Sequence, residues 1–137
     1  MPHFSRTFSL ATQEKHQIVD VTTNVNAILR ESGVREGQLT VFTPHATAAI
    51  AINENDDPNI GTDFICALSK LVIEHDGWLH DRIDNNAAAH IKSALIGPSE
   101  TIPIIGGRLC LGTWQNVFFC EFDGPRHERR VIISIVS

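Results

Sequence analysis

The fold is decided in the last third of the chain: TIPIIGGRLC (residues 101–110), LGTWQNVFFC (111–120), EFDGPRHERR (121–130) and VIISIV (131–136). Four runs rich in β-branched and aromatic residues, at 101–105, 108–111, 116–122 and 129–136, are separated by Gly106-Gly107, Gly112 and Gly124-Pro125. Runs of this composition between Gly and Pro read as strands. The double glycine is a hairpin signal, and Gly124-Pro125 reads as a second turn. Successive strands joined by such short connections pair antiparallel.

Toward the N-terminus the pattern mixes helices with further strands. Residues 87–95 read as a short Ala-rich helix stopped by Gly97-Pro98. Asp57-Pro58 starts another helix, with Asp as cap and Pro in the first turn. Its apolar stripe is Ile60, Phe64, Ala67, Leu68, Leu71 and Val72. Residues 4–10 alternate, with Phe4, Phe8 and Leu10 on the buried face. Residues 18–21 continue extended; Thr22 or Thr23 then caps a helix carrying Val25, Ile28 and Leu29, which Gly33 ends. Residues 38–42 form a strand that Pro44 interrupts, and 46–53 resume it with small side chains that imply close packing against another layer. The expected fold is α+β: a single compact domain over 1–137 with a largely antiparallel sheet and about three helices.

Composition narrows the function. The chain has 137 residues, 42% hydrophobic and 20% charged, which is ordinary for a globular domain and argues against disorder. Its net charge is -5, and its Lys and Arg are scattered apart from Arg126, Arg129 and Arg130, so it lacks the basic stripe of a nucleic-acid binder. Those arginines are expected on or beside a strand, some of them solvated. No apolar run is long enough for a membrane span, and no leader pattern opens the chain, so a cytoplasmic location without membrane contact is expected. Cys66, Cys110 and Cys120 are odd in number and lie in apolar segments, so they are expected as buried thiols rather than a disulfide framework.

Several residue types could carry chemistry. His45 follows Pro44 at a strand end, a favoured place for a working side chain. Residues 74–86 form a polar connection with two histidines and four carboxylates, longer than most connections. His80 lies in it. His90 lies in the next helix behind Ala87, Ala88 and Ala89, which leave its imidazole uncrowded. Imidazoles suit zinc, and a catalytic metal site takes about three ligands, although His45, His80 and His90 lack any standard motif spacing. His3, His16, His75 and His127 read as surface residues. Trp114-Gln115 after Gly112 suits a flat polar ligand or a core Trp. Glu121 and Asp123 flank Phe122 and can do acid–base work, form a solvated face, or pair with Arg126. Asp57 reads as a helix cap and Asp56 as a solvated acid. Phosphate-loop, Rossmann and serine-hydrolase patterns are all missing from the sequence.

Taken together, HATAAI (45–50), INE (52–54), Asp57-Pro58, AHIK (89–92), Leu95 with Gly97, LGTWQ (111–115) and EFDGPR (121–126) resemble the YjbQ-like family, also called secondary thiamine-phosphate synthase enzymes. The resemblance runs from about residue 40 to the C-terminus. It implies a homotrimer with a polar cleft near the subunit contacts. It also implies a divalent metal there, zinc or another transition metal, on His45, His80 and His90. Catalytic positions would be His45, Glu121 and Asn53; substrate-binding positions would be Trp114, Gln115, Thr47, Lys92 and Arg126. Ala46 stands where many relatives carry Thr, and Ala88 where many carry Pro. The implied reaction joins a pyrimidine diphosphate to a thiazole phosphate and releases pyrophosphate, which needs a metal or cationic donors at the leaving group. A histidine set is a poor match for magnesium. That leaves two further expectations, a non-catalytic metabolite- or metal-binding trimeric module and a metal-dependent hydrolase of a small phosphorylated substrate.

Overall fold

The computed structural model describes residues 3–137. In chain order the elements are β1 (His3–Thr12), β2 (Gln17–Asp20), α1 (Thr22–Ser32), β3 (Gly37–Phe42), β4 (Ala48–Asn53) and α2 (Pro58–Leu71). A 3-10 turn (Leu79–Arg82) follows, then α3 (Ala87–Ile96), β5 (Ser99–Ile105), β6 (Arg108–Leu109), β7 (Asn116–Glu121) and β8 (Arg126–Val136). Every strand pair is antiparallel, although of the paired strands only β5 and β6 are joined by a short connection. The α+β class and the three α-helices agree with the sequence.

The strands form two sheets rather than one. Five run in the order β1-β8-β3-β5-β6 and three in the order β2-β7-β4. β5 and β6 make the hairpin signalled by Gly106-Gly107. Gly124-Pro125 does something else: it carries the chain from the three-stranded sheet into the five-stranded one, so β7 and β8 do not pair. Only glycine fits at 124, because a Cβ there would collide with the Glu14 carbonyl and the Glu121 side chain.

Two apolar layers result. Leu39, Val41, Ile133 and Ile135 of the large sheet meet Ala48, Ile50, Val117 and Phe119 of the small one, with Val25, Ile28 and Leu29 of α1 in the same cluster. The opposite face of the small sheet presents Ala49, Phe118 and Cys120 to Leu68 of α2 and Ala89 of α3. β7 is therefore buried on both faces, which explains its unbroken apolar run Val117-Phe118-Phe119-Cys120. The small residues of β4 let α3 approach closely, and Ser93 Oγ donates to the Ala48 carbonyl.

Local signals succeed and fail for identifiable reasons. Asp57 caps α2, its Oδ1 accepting from Asn59 N–H at 2.9 Å, and Gly33 ends α1 in the left-handed region at φ 69°. Neither threonine caps α1: Thr22 Oγ1 accepts from Val117 N–H at 2.8 Å, and Asp20 Oδ1 takes Thr22 N–H. The α2 stripe is only partly covered. Leu68 and Val72 are buried, Ile60 and Phe64 half-buried, Ala67 exposed and Leu71 76% exposed. The thiols also split. Burial pushes the Cys120 thiol up to about 12, but Cys66 and Cys110 are exposed. Cys66 lies two residues from Leu68, which turns it to the far side of the helix. Among the described residues, no helix is long and apolar enough to cross a membrane.

Candidate functional site

The β4–β7 ladder organises the candidate residues. It pairs Ala48 with Glu121 at one end and Asn53 with Asn116 at the other, about 17 Å apart at strand rise. The Ala48 end gathers His45, Thr47, Glu121 and the three arginines. The Asn53 end carries Asn53 and, just before β7, Gln115 and Trp114.

At the first end the sheets are tied by a buried ion pair. Glu121 is fully buried, and its carboxylate accepts from Arg129 Nε at 2.8 Å, from Thr12 Oγ1 at 2.7 Å and from Asp123 N–H at 3.0 Å. A second contact runs from Arg129 Nη2 to the other Glu121 oxygen. Arg129 Nη2 also donates to Thr47 Oγ1 at 2.9 Å. Burial would raise the Glu121 pKa, but these hydrogen bonds and the guanidinium charge outweigh it and hold the carboxyl below its usual range. Glu121 therefore reaches no solvent, and Thr47 is 6% exposed. Asp123, not Glu121, pairs with Arg126, at 2.9 Å, and also accepts from Asn86 Nδ2.

His45 sits between β3 and β4. The β3–β8 ladder ends at Phe42 and Ile132, and His45 Nε2 accepts the Arg130 backbone N–H at 2.9 Å, beyond that end. An imidazole thus replaces a missing strand acceptor. Burial, then Arg129, Arg130 and Arg126, lower the His45 pKa. The neutral ring, with Nε2 accepting, carries its proton on Nδ1.

His90 faces the same depression. His45, Ala46, His90, Ser93, Ala94 and Pro98 line an open hollow of about 330 Å³. His80, on the 3-10 turn, stands edge-on to His90 with ring centroids 4.7 Å apart. His80 Nε2 is buried without a hydrogen-bond partner, and Asp84 Oδ2 is 3.7 Å away. Asp81 Oδ2, 3.6 Å from His75 Nδ1, and Asn86 Oδ1, in the same segment, are likewise buried without a hydrogen-bond partner. The polar connection flagged by its length is thus where unsatisfied polar atoms collect.

The other expected residues lie elsewhere. Lys92 is 1% exposed, and its ammonium lies 3.2 Å from His16 Nε2, outside the histidine hollow. Burial lowers both pKa values, and the neighbouring Lys92 charge lowers that of His16 further. His16 is therefore half-buried, not a free surface residue. Trp114 is 58% exposed, and Gln115 Oε1 accepts from Gly112 N–H. Asn53 is exposed, with its Oδ1 accepting from Glu54 N–H.

As a trio, His45, His80 and His90 do not fit a metal in this arrangement. The His45 Nε2 lone pair is engaged by Arg130, and its other nitrogen holds the proton. Among the described residues, no three His, Cys, Asp or Glu side chains converge as a ligand set.

Sequence reasoning missed Thr12 and the inward role of Arg129. The signal for Arg129 was present: it shares a strand face with Val131, Ile133 and Ile135.

A family model described as "UPF0047 protein YjbQ-like" matches residues 6–137. A UPF0047 protein of Methanothermobacter thermautotrophicus is 40% identical over 137 residues, covering 100% of this chain and 94% of that one. UPF0047 protein YugU of Bacillus subtilis is 40% identical over 88% of this chain and 91% of its own length. Among solved structures, a YbjQ-like protein of unknown function from Sulfolobus solfataricus aligns with TM-score 0.95 and 33% identity over 98% of this chain and 96% of that one.

Proposed function

Given that this chain belongs to the YjbQ-like UPF0047 family, we propose that it works through the histidine hollow at the Ala48 end of the β4–β7 ladder, binding a small phosphorylated molecule there and turning it over by proton transfer. One observation carries the reading: His45 and His90 line a single hollow, beside three arginines whose charge bears on His45. Arg129 is paired with Glu121 and Arg126 with Asp123, so Arg130, which makes no ion pair among the described residues, supplies the charge that favours an anion. His45 donates to it through Nδ1–H. His90 exchanges a proton with the reacting group, and His80, with Asp84 near its Nε2, stands behind His90. Glu121 acts indirectly, by fixing Arg129 and Thr47.

Two reactions suit such a site. One is the joining of a pyrimidine diphosphate to a thiazole phosphate, in which a C–N bond forms and pyrophosphate leaves. The other is hydrolysis of a small phosphate ester. The first develops negative charge on the departing pyrophosphate oxygen as its C–O bond breaks, and the second on the departing alkoxide or phenoxide oxygen as water takes its place on phosphorus; positioned donors are most effective at such oxygens. Neither is routed through a metal, since the three histidines are not arranged as ligands. A second reading, a binding module without turnover, is favoured by the engagement of His45 and Glu121 in holding backbone and ion pair.

A homotrimer is part of the proposal. Its support is the exposure of Trp114 (58%), Leu79 (72%) and Ile83 (79%), together with the separation of Asn53, Trp114 and Gln115 from the histidines. Neighbouring copies can join one chain's Asn53 end to another's hollow.

The test is turnover of p-nitrophenyl phosphate, and of the pyrimidine diphosphate with the thiazole phosphate, by the full chain and by His90→Gln. The expected loss in kcat for the variant is about 100-fold or more, with an unchanged unfolding midpoint. Equal kcat values would sink the catalytic reading. Anion binding without turnover by the wild type would select the binding module.

A further inference from the structure

A second concavity lies away from the histidines. The N-terminal half of α2 stands off the small sheet above Ala51, whose side chain is too short to fill the gap. Ile60, Phe64, Ile96 and Phe118 wall the resulting groove, and Asn53 and Glu100 are its polar lining. This is why the sequence stripe on α2 is complete but Ile60 and Phe64 are only half-buried. The groove holds about 220 Å³. A cavity of about 150 Å³ takes a benzene-sized ring, and pockets for drug-sized ligands start near 300 Å³. Its natural content is one ring or a short branched chain with a small polar arm.

Glu100 supplies the chemistry. It lies on the same face of β5 as Ile102 and Ile104, both buried. Its side chain is half-buried, yet among the described residues it makes no ion pair and no side-chain hydrogen bond. A carboxylate at the end of an inward apolar row, without a cation, is a site that a bound cation completes. Asn53 already uses its Oδ1 on Glu54 N–H, so what remains to it is N–H donors, which suit a hydroxyl or carbonyl oxygen on the same ligand.

We propose that this groove binds a small organic amine, its ring or branched chain against Phe64 and Phe118 and its ammonium on Glu100. The site shares no lining residue with the histidine hollow of the same chain and lies at the other end of β4; only Asn53 is common to it and the proposed trimer contact, so amine binding at Glu100 is tested separately from anion binding at the histidines.

Phenethylamine is the probe, titrated into the full chain and followed by backbone NMR. Expected are shifts confined to the first half of α2, β4 and residues near Glu100, and binding at least tenfold tighter than 2-phenylethanol or phenylacetate. Glu100→Gln weakens the amine about tenfold. Ala51→Leu, which fills the groove without touching Glu100, abolishes binding while keeping the fold, as its unfolding midpoint will report. Absence of shifts in the groove, including closure by a neighbouring copy, overturns the proposal. So does equal affinity for the alcohol and the amine, or retained affinity in Ala51→Leu.

Discussion

Glu121 and Arg129 show how one residue pair sets the site. Both are buried, at 0% and 4% side-chain exposure, and each satisfies the other's charge. Removing one leaves an uncompensated charge in the interior, so Arg129→Met is expected to cost about 3–5 kcal/mol in denaturant unfolding. Because the folded pKa of Glu121 is depressed below its ordinary 4.5, its contribution is complete above about pH 4.5 and is lost as pH falls through the folded value. Glu121→Gln is expected to flatten the acid limb of the stability curve, while lowering stability at neutral pH. An acid limb identical to that of the wild type would contradict the assignment. The alternation of Arg129 with Val131, Ile133 and Ile135 made its inward placement legible. The role of His45 was not, because its partner, the Arg130 N–H, is 85 residues away in sequence. A ring nitrogen completing a strand ladder leaves no periodic trace.

At the scale of elements, α2 divides what periodicity can tell. Its cap at Asp57 and its stripe follow from local rules, and both were readable. Which half of the stripe is covered depends on the size of the facing β4 residues and on where the helix crosses the sheet, and neither is local. The structure therefore separates two leucines that look alike in sequence. Leu68→Ala, in the core, is expected to cost about 2–4 kcal/mol, and Leu71→Ala less than about 0.5 kcal/mol, in unfolding of the isolated chain. Equal costs would mean that α2 packs differently. Gly124-Pro125 teaches the same lesson: the turn was legible, but its use as a crossover between sheets was not, since a hairpin and a crossover use the same punctuation.

Across the whole molecule, the β4–β7 ladder holds the candidate residues about 17 Å apart, in two groups that a single chain does not join. The sequence listed the residues without distances, so it presented them as one cleft. If neighbouring copies join the groups, light scattering will give about three times the 15.1 kDa chain mass, and Trp114→Ser with Ile83→Ser will lower it; a single-chain mass contradicts the assembly. The central claim is that the hollow between His45 and His90 takes an anion. Inorganic phosphate titrated into the protein, with the histidine ring resonances followed by NMR, tests it most directly. The account predicts saturable shifts of His45 and His90, a smaller one at His80, and a rise in the lowered His45 pKa as the anion offsets the arginine field. Shifts at His16 or His75 alone, or no saturable shift at any histidine, would contradict it.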